Sequence, residues 1–243
     1  MSTLYQFPFS HFCEKARWAL DYKQHPYAVR NLLPLFHLTT TLRPGRKTSL
    51  PLLIEGDLRL QDSGEIIDYL DRRHPHKPLT PIPAEEARLA REWERVLDKD
   101  LGVTLRRWFY FHTLPDTPHA RYFLEQDLPA SRRHLFRLCF PLVRRAMQHR
   151  MRITPDTAAS ALDTLERTLD RLDTIVGGQP FLVGNHFSRA DLTGAALLSP
   201  LRARGRTQEE LQAIFSPPVW QWWKSFHQRP TSTWLEQMYR DYR

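Results

Sequence analysis

Three short segments carry residue types suited to thiol or anion chemistry. Ser10-His11-Phe12-Cys13 opens a stretch whose apolar residues recur at helical spacing, which sets Ser10 and Cys13 at a helix N-terminus. Backbone N–H groups and the positive end of the helix dipole lower a thiol pKa there. Cys13 is therefore a candidate thiolate. Ser10 is either a hydroxyl donor or simply the N-cap. Gln61-Asp62-Ser63 opens a second amphipathic helix. Ser63 at that terminus either binds a carboxylate through its hydroxyl and backbone N–H or only caps its helix. Between these two lies Leu50-Pro51, which by residue type alone reads as a proline at the first position of a strand.

The elements that must position these residues follow from hydrophobic period. Thr3–Gln6 reads as a strand, and 11–23 as a helix with Phe12, Ala16, Ala19 and Leu20 on one stripe. Residues 27–32 and 51–54 read as further strands. Glu55-Gly56-Asp57 is a hairpin turn into a fourth strand at 58–60. A helix capped by Ser63 follows, with Ile66, Ile67 and Leu70 inward. Such alternation builds a mixed four-stranded sheet with helices on its faces. Pro75, Pro78, Pro81 and Pro83 then mark a stiff linker. Beyond it strand signals vanish, and the remainder reads as a helical bundle. Its clearest helix is 155–176, with Thr154 as N-cap, Pro155 at the first helical position and Gly177-Gly178 as the stop. Other helices are expected at 84–113, 119–151 (interrupted near Pro129 and Pro141), 188–199 and 217–228. The fold class is thus α/β plus all-α, divided as 1–78, a linker at 79–83, and 84–243.

Composition narrows the function. The 243 residues carry 35 Lys and Arg against 27 Asp and Glu, a net charge of +8. The excess sits between Ser131 and Arg152, which holds seven arginines and no acid. We read that stretch as a solvated helix face with its apolar side docked, and nucleic-acid binding as unlikely. Cys13 and Cys139 stand far apart with no C-x-x-C or Cys/His cluster, so no structural metal is expected. The start has neither a basic n-region nor an apolar h-region, and no apolar run approaches the ~20 residues of a membrane span. These features read as a cytoplasmic, soluble protein.

The segments together resemble the cytosolic glutathione transferase superfamily, in its serine-type, bacterial-like form, over the whole chain. Residues 10–20 resemble the family's S-P-F/Y-C-x-K-V-R-x-A-L run, and Ser49-Leu50-Pro51-Leu52-Leu53 its V-P-x-L strand. Residues 60–70 resemble its L-x-E-S-x-A-I-x-x-Y-L helix start. Gly184 to Asp191 resembles its G-x-x-x-S-x-A-D capping segment. The resemblance implies a thioredoxin-like first domain, glutathione as co-substrate, a small apolar electrophile, a homodimer and a role in detoxification. It implies a cis Leu50-Pro51 bond, with the Leu50 backbone pairing the cysteinyl backbone of glutathione. Asp62 would accept from the γ-glutamyl amine, Ser63 would hold its carboxylate, and Lys47 would face the glycyl carboxylate.

Ser10 would then donate to the glutathione thiolate. Cys13, one turn deeper beside Ala16 and Leu20, is expected to be buried, and its use as a reactive thiol defines an alternative, a glutathione-dependent reductase or lyase. Tyr5 is out of frame for such work, and His11 is read as a surface residue. Trp108, Phe109 and Phe111 line the electrophile cleft or belong to the core. Ser188-Arg189-Ala190-Asp191 is a capping box that supports folding. A third possibility is a binding or scaffold module without turnover, because Asp62 and His11 replace the family's usual glutamate and proline and the loop before Leu50 is long.

Overall fold

The structure of the protein is a computed structural model. It describes residues 1–34, 36–42, 48–125 and 130–243, with 130–132 as backbone only. The opening alternation is realised as β1 (Ser2–Gln6), α1 (His11–Tyr22), β2 (Tyr27–Asn31), a single turn α2 (Leu38–Thr41), β3 (Leu52–Glu55), β4 (Leu58–Leu60) and α3 (Ser63–Arg73). The sheet order is β2-β1-β3-β4. β1 runs parallel to β2 with Leu4 opposite Val29, and antiparallel to β3 with Leu4 opposite Leu53. Leu53 in turn faces Leu60 across the β3–β4 hairpin. The sheet is therefore mixed. α1 and α3 pack together, burying Ala16, Ala19, Leu20, Ile66, Ile67 and Leu70 completely.

The cap of α3 differs from expectation. Asp62, not Ser63, is the N-cap, and its Oδ1 accepts from the Gly64 N–H at 2.8 Å. Ser63 becomes the first helical residue, buried at 4 % exposure. Asp and Ser are equally favoured N-caps, and capping by Asp62 starts the helix one residue earlier than expected.

The remainder is helical: α4 (Ala84–Val96), π-helical turns (Leu97–Val103), α5 (Thr104–Thr113), α6 (Thr117–Leu124), α7 (Ala130–Arg150), α8 (Pro155–Val176), α9 (Arg189–Leu197), α10 (Gln208–Ile214), α11 (Pro217–Phe226) and α12 (Pro230–Tyr242). The expected 84–113 helix is thus continuous in direction, with a widened stretch in its middle. A Cβ on Gly102 there would meet the Phe12 ring at 2.8 Å and Leu197 at 3.0 Å, so glycine lets α1 and α9 approach the long helix. α8 follows the sequence closely: Thr154 caps it, its hydroxyl accepting from the Thr157 N–H, and Gly177 ends it. α7 corrects an expectation. Pro141 lies inside the helix without ending it, on the solvent side, where water can take the carbonyl that proline leaves unpaired. Pro129 lies outside the described residues. α10 and α12 were not anticipated.

α9 is the hub. All nine of its residues are buried, and it packs on α1, α4 and α12. The expected capping box is present: Ser188 Oγ accepts from the Ala190 N–H at 3.3 Å. Asp191 accepts from the Ser188 N–H at 2.9 Å, the Ser188 hydroxyl at 2.8 Å and the Leu182 N–H at 2.7 Å. Burial nevertheless pushes the Asp191 carboxyl up to about 6. Asp191→Asn turns an acceptor into a donor facing the Ser188 N–H. The expected cost is ~1–2 kcal/mol, read from the denaturant midpoint at constant m-value; an unchanged midpoint would remove Asp191 from the fold's accounting.

The start of the 79–83 segment, expected to be a linker, is pinned on two sides. Leu79 and Thr80 donate their N–H groups to Asp71 at 2.8 and 2.9 Å. The Leu79 carbonyl accepts from the Arg189 N–H at 2.7 Å. Buried charges complete the junction between the two halves. Lys15 Nζ on α1 lies 2.9 Å from Glu94 and from Asp98, and Arg189 bonds both Glu94 and Asp68. The chain end closes over α1, with the Trp18 indole donating to the Tyr242 carbonyl at 2.9 Å. Among the described residues no helix is long and apolar enough to cross a membrane.

The basic stretch behaves as a helix face. Phe136, Phe140, Val143 and Met147 are buried along α7, while Leu135, Leu138 and Leu142 are exposed on its outer side. Arg137 pairs with Glu125 at 3.0 Å.

Candidate active site

The loop after β1 turns through a Ser10 N–H to Phe7 C=O bond of 3.1 Å and delivers Ser10 to the start of α1. Ser10 Oγ accepts the Cys13 N–H at 3.4 Å, and its own proton remains to donate. Ser10 borders a cavity of about 300 Å³ between the first domain and helices α5 and α7. The first-domain wall is formed by Phe7, Phe9, His11, His37 and the Thr48–Leu50 segment, and the facing wall by Leu105, Arg106, Phe109, Tyr110, Met147 and Arg150. This is the size of a small-ligand site, apolar with few polar groups.

Leu50 stands beside Ser10 in that wall, and the Leu50–Pro51 peptide is cis. The Leu50 backbone N–H and C=O have no partner among the described residues. The segment is held from behind, where Gln61 Nε2 donates to the Ser49 carbonyl at 2.9 Å. That bond also ties the N-terminus of α3, with Asp62 and Ser63, to the Leu50 loop. Asp62 is exposed and Ser63 buried, and neither borders the cavity. The Ser63 hydroxyl has no hydrogen-bond partner among the described residues.

Two family models match the sequence: the glutathione S-transferase N-terminal domain over residues 4–78, and its C-terminal domain over 150–237. The chain belongs to the glutathione S-transferase superfamily. Among curated relatives, glutathione S-transferase TCHQD of Arabidopsis thaliana is 26% identical over 211 residues, 83% of this chain and 76% of its own. The stringent starvation protein A homolog of Haemophilus ducreyi is 34% identical over 71 residues. That match takes in 29% of this chain and spans only a third of the relative's length (33%). A solved glutathione S-transferase from Methylobacillus flagellatus KT, with glutathione bound, superposes with a TM-score of 0.56 at 19% identity, covering 96% of this chain and 98% of that one. At that identity the likeness concerns the fold.

Within this transferase fold the sequence-derived residues fall into two groups. Ser10 and Leu50 meet at the cavity, and Pro51 follows directly. Asp62 and Ser63 sit at the neighbouring helix terminus. Lys47 lies outside the described residues. Cys13 is fully buried as expected, packed with Leu50 and Leu52, and burial pushes its thiol up. A buried, protonated thiol is a poor nucleophile. Of the three aromatics read as either cleft or core, only Phe109 borders the cavity; Trp108 packs on Trp222 in the core. Among the described residues no group of three or more His, Cys, Asp or Glu is placed to hold a metal.

His11 departs from the surface position expected of it. It is 5 % exposed, meets the Phe12 ring edge-on at 4.8 Å, and its Nε2 has no partner among the described residues. α5 covers the start of α1 here, a packing no local pattern announces. Burial, with the Arg106 charge beside it, pulls the His11 pKa down to about 3. The unfolded chain therefore binds more protons than the folded one between pH 6.5 and 3. Stability from this group is complete above pH 6.5 and falls as pH drops, by about 1.4 kcal/mol per unit. His11→Gln is expected to remove ~2 kcal/mol of the loss between pH 7.5 and 5, measured by urea unfolding at both values. Parallel acid limbs in the two proteins would contradict the buried neutral ring.

His37 and Arg106 are the site residues that sequence reasoning missed. The His37 ring bonds the Thr48 carbonyl through Nε2 at 3.1 Å, and its buried Nδ1 has no partner among the described residues. Arg106 had a signal: it shares a helix face with Gly102, Phe109 and Tyr110, an arginine on an apolar stripe.

Proposed function

We propose that this protein transfers the glutathione thiolate to a small apolar electrophile. The observation that carries the reading is the placement of the Ser10 hydroxyl. It sits at a helix N-terminus, in the wall of an apolar cavity, next to a Leu50 backbone with free hydrogen-bonding groups. In this reading glutathione lies along the first domain. Its cysteinyl backbone pairs with Leu50 at Pro51, its γ-glutamyl end reaches Asp62 and Ser63, and its glycyl end approaches Lys47. Ser10 and the α1 dipole stabilise the thiolate, and the electrophile occupies the cavity beyond it. The protein acts as a homodimer in the cytoplasm, with its domains divided at 79–83, as the resemblance implies. Protonated, inaccessible Cys13 argues against the reductase and lyase alternative.

A glutathione-binding module without turnover is the second reading. The likeness to a stringent starvation protein A homolog, a relative not named as a transferase, favours it. Calorimetric titration with glutathione tests the binding site. Wild type is expected to bind, and Ser63→Ala to bind ~10-fold more weakly through loss of a charge-assisted hydrogen bond. No heat from wild type would reject both readings. Binding without conjugation of any electrophile in a broad panel would select the module.

A further inference from the structure

The helical wall of the cavity carries positive charge that no described residue answers. Arg106 on α5 is half-buried, with its guanidinium 5.6 Å from the Phe12 ring centre. It has no ion pair and no hydrogen bond among the described residues. Arg150 at the end of α7 donates to Thr48 Oγ1 and borders the same cavity. Among the described residues no carboxylate lines that space. Both arginines also face a recess of about 270 Å³ that Arg107 and Arg152 share. His11 contributes a neutral ring. The same wall includes the apolar Leu105, Phe109, Val143 and Met147, and Tyr110 is the polar neighbour on the arginine's own helix.

An arginine in such a wall loses hydration without gaining a counter-charge. Burial draws the Arg106 guanidinium below its ordinary range, as an uncompensated cation should be. A ligand anion is the natural complement, because a guanidinium binds carboxylate or sulfonate oxygens in a two-pronged, charge-assisted pair.

We infer that the cavity selects apolar molecules bearing one anionic group, which pairs with Arg106 while Arg150 adds charge at the rim. This deepens the transferase reading by naming its second substrate as an apolar acid, yet binding of the acid does not itself require turnover. We assign that anion to the second substrate rather than to glutathione, whose γ-glutamyl carboxylate goes to Ser63 in the pose proposed above.

Titration of full-length protein with trans-cinnamate and with the isosteric neutral cinnamamide, with and without saturating glutathione, tests the inference. Wild type is expected to bind the acid at least ~10-fold tighter than the amide, a ratio that shrinks with added salt. Arg106→Met should bring the ratio to within ~2-fold while leaving amide and glutathione affinities unchanged, and Arg106→Lys should restore part of it. Equal affinities in wild type, or no binding of the acid, overturns the inference. So does a ratio that ignores salt, or an Arg106→Met protein that loses glutathione instead of cinnamate. If Arg106→Met does not fold, the wild-type ratio and its salt dependence decide alone. Failure of glutathione to bind would strike the transferase reading and leave the acid–amide comparison standing.

Discussion

Ser10→Ala is expected to lower turnover by roughly 10- to 100-fold while glutathione affinity changes little. The hydroxyl accepts one long bond, 3.4 Å from the Cys13 N–H, and keeps its proton for a ligand. A hydrogen bond to a charged acceptor contributes ~1.5–3 kcal/mol, which corresponds to that range of rates. The bond strengthens as the thiol ionises, so its loss falls on kcat more than on binding. The same substitution removes an N-cap and is expected to cost ~1 kcal/mol of stability, measured separately by denaturant. Ser10→Thr retains both the cap and the hydroxyl and serves as the rescue. A loss of glutathione affinity with kcat unchanged would assign Ser10 to uniform binding and deny it a role in the chemical step.

Arg189→Met is expected to cost ~3–5 kcal/mol of stability, the penalty for stranding buried charges. Arg189 is 2 % exposed and joins three elements. Its Nε donates to Glu94 at 2.7 Å, and its Nη1 to Asp68 on α3 at 2.6 Å and to Thr80 in the linker at 3.0 Å. Burial works against the Asp68 carboxylate, yet Arg189 and Arg91 hold it below the usual range. Without Arg189, Glu94 keeps only Lys15 nearby, in an ion pair of 2.9 Å that is not an aligned hydrogen bond. Adding Glu94→Gln to Arg189→Met should return at least ~1 kcal/mol, a coupling that independent sites would not show. Chemical denaturation of the four proteins of this cycle measures it; additive losses would show that the junction is not one network.

The Asp68 shift also sets a pH signature. Its folded pKa lies below the unfolded one, so its contribution is present above the unfolded value and is lost as pH falls through the folded value. Arg189→Met should therefore show a shallower acid limb than wild type, because the Asp68 contribution is already missing at neutral pH and little is left to lose.

The first domain was legible because its signals are local. The α1 stripe, the Gly56 hairpin and the α3 stripe each need only a few residues of context. The choice between Ser63 and Asp62 as cap turned on one position, which spacing alone does not resolve. α10 escaped notice because its seven residues bury only Leu211, too few for a period to show. Its Thr207–Glu210 capping box was the available sign. α12 starts with Pro230, and its inward residues Trp234, Leu235 and Met238 make too short a series to stand out. Pro141 misled because its effect depends on which side of α7 meets water.

The site divides along the same line. Ser10, Leu50 and Pro51 were readable as motif. Arg106 left only the faint sign of an arginine on an apolar stripe, and His11 left none, because its burial is created by packing against residues ninety-odd positions away.

The most direct test of the account is the ionisation of bound glutathione, followed by the ultraviolet absorbance of its thiolate across pH. With wild-type protein the bound thiol should titrate at least one unit below the ~8.5 of a free thiol, and in Ser10→Ala that depression should largely disappear. A bound thiol that titrates like free glutathione in wild type, or the same depressed value after Ser10 is replaced, would contradict it.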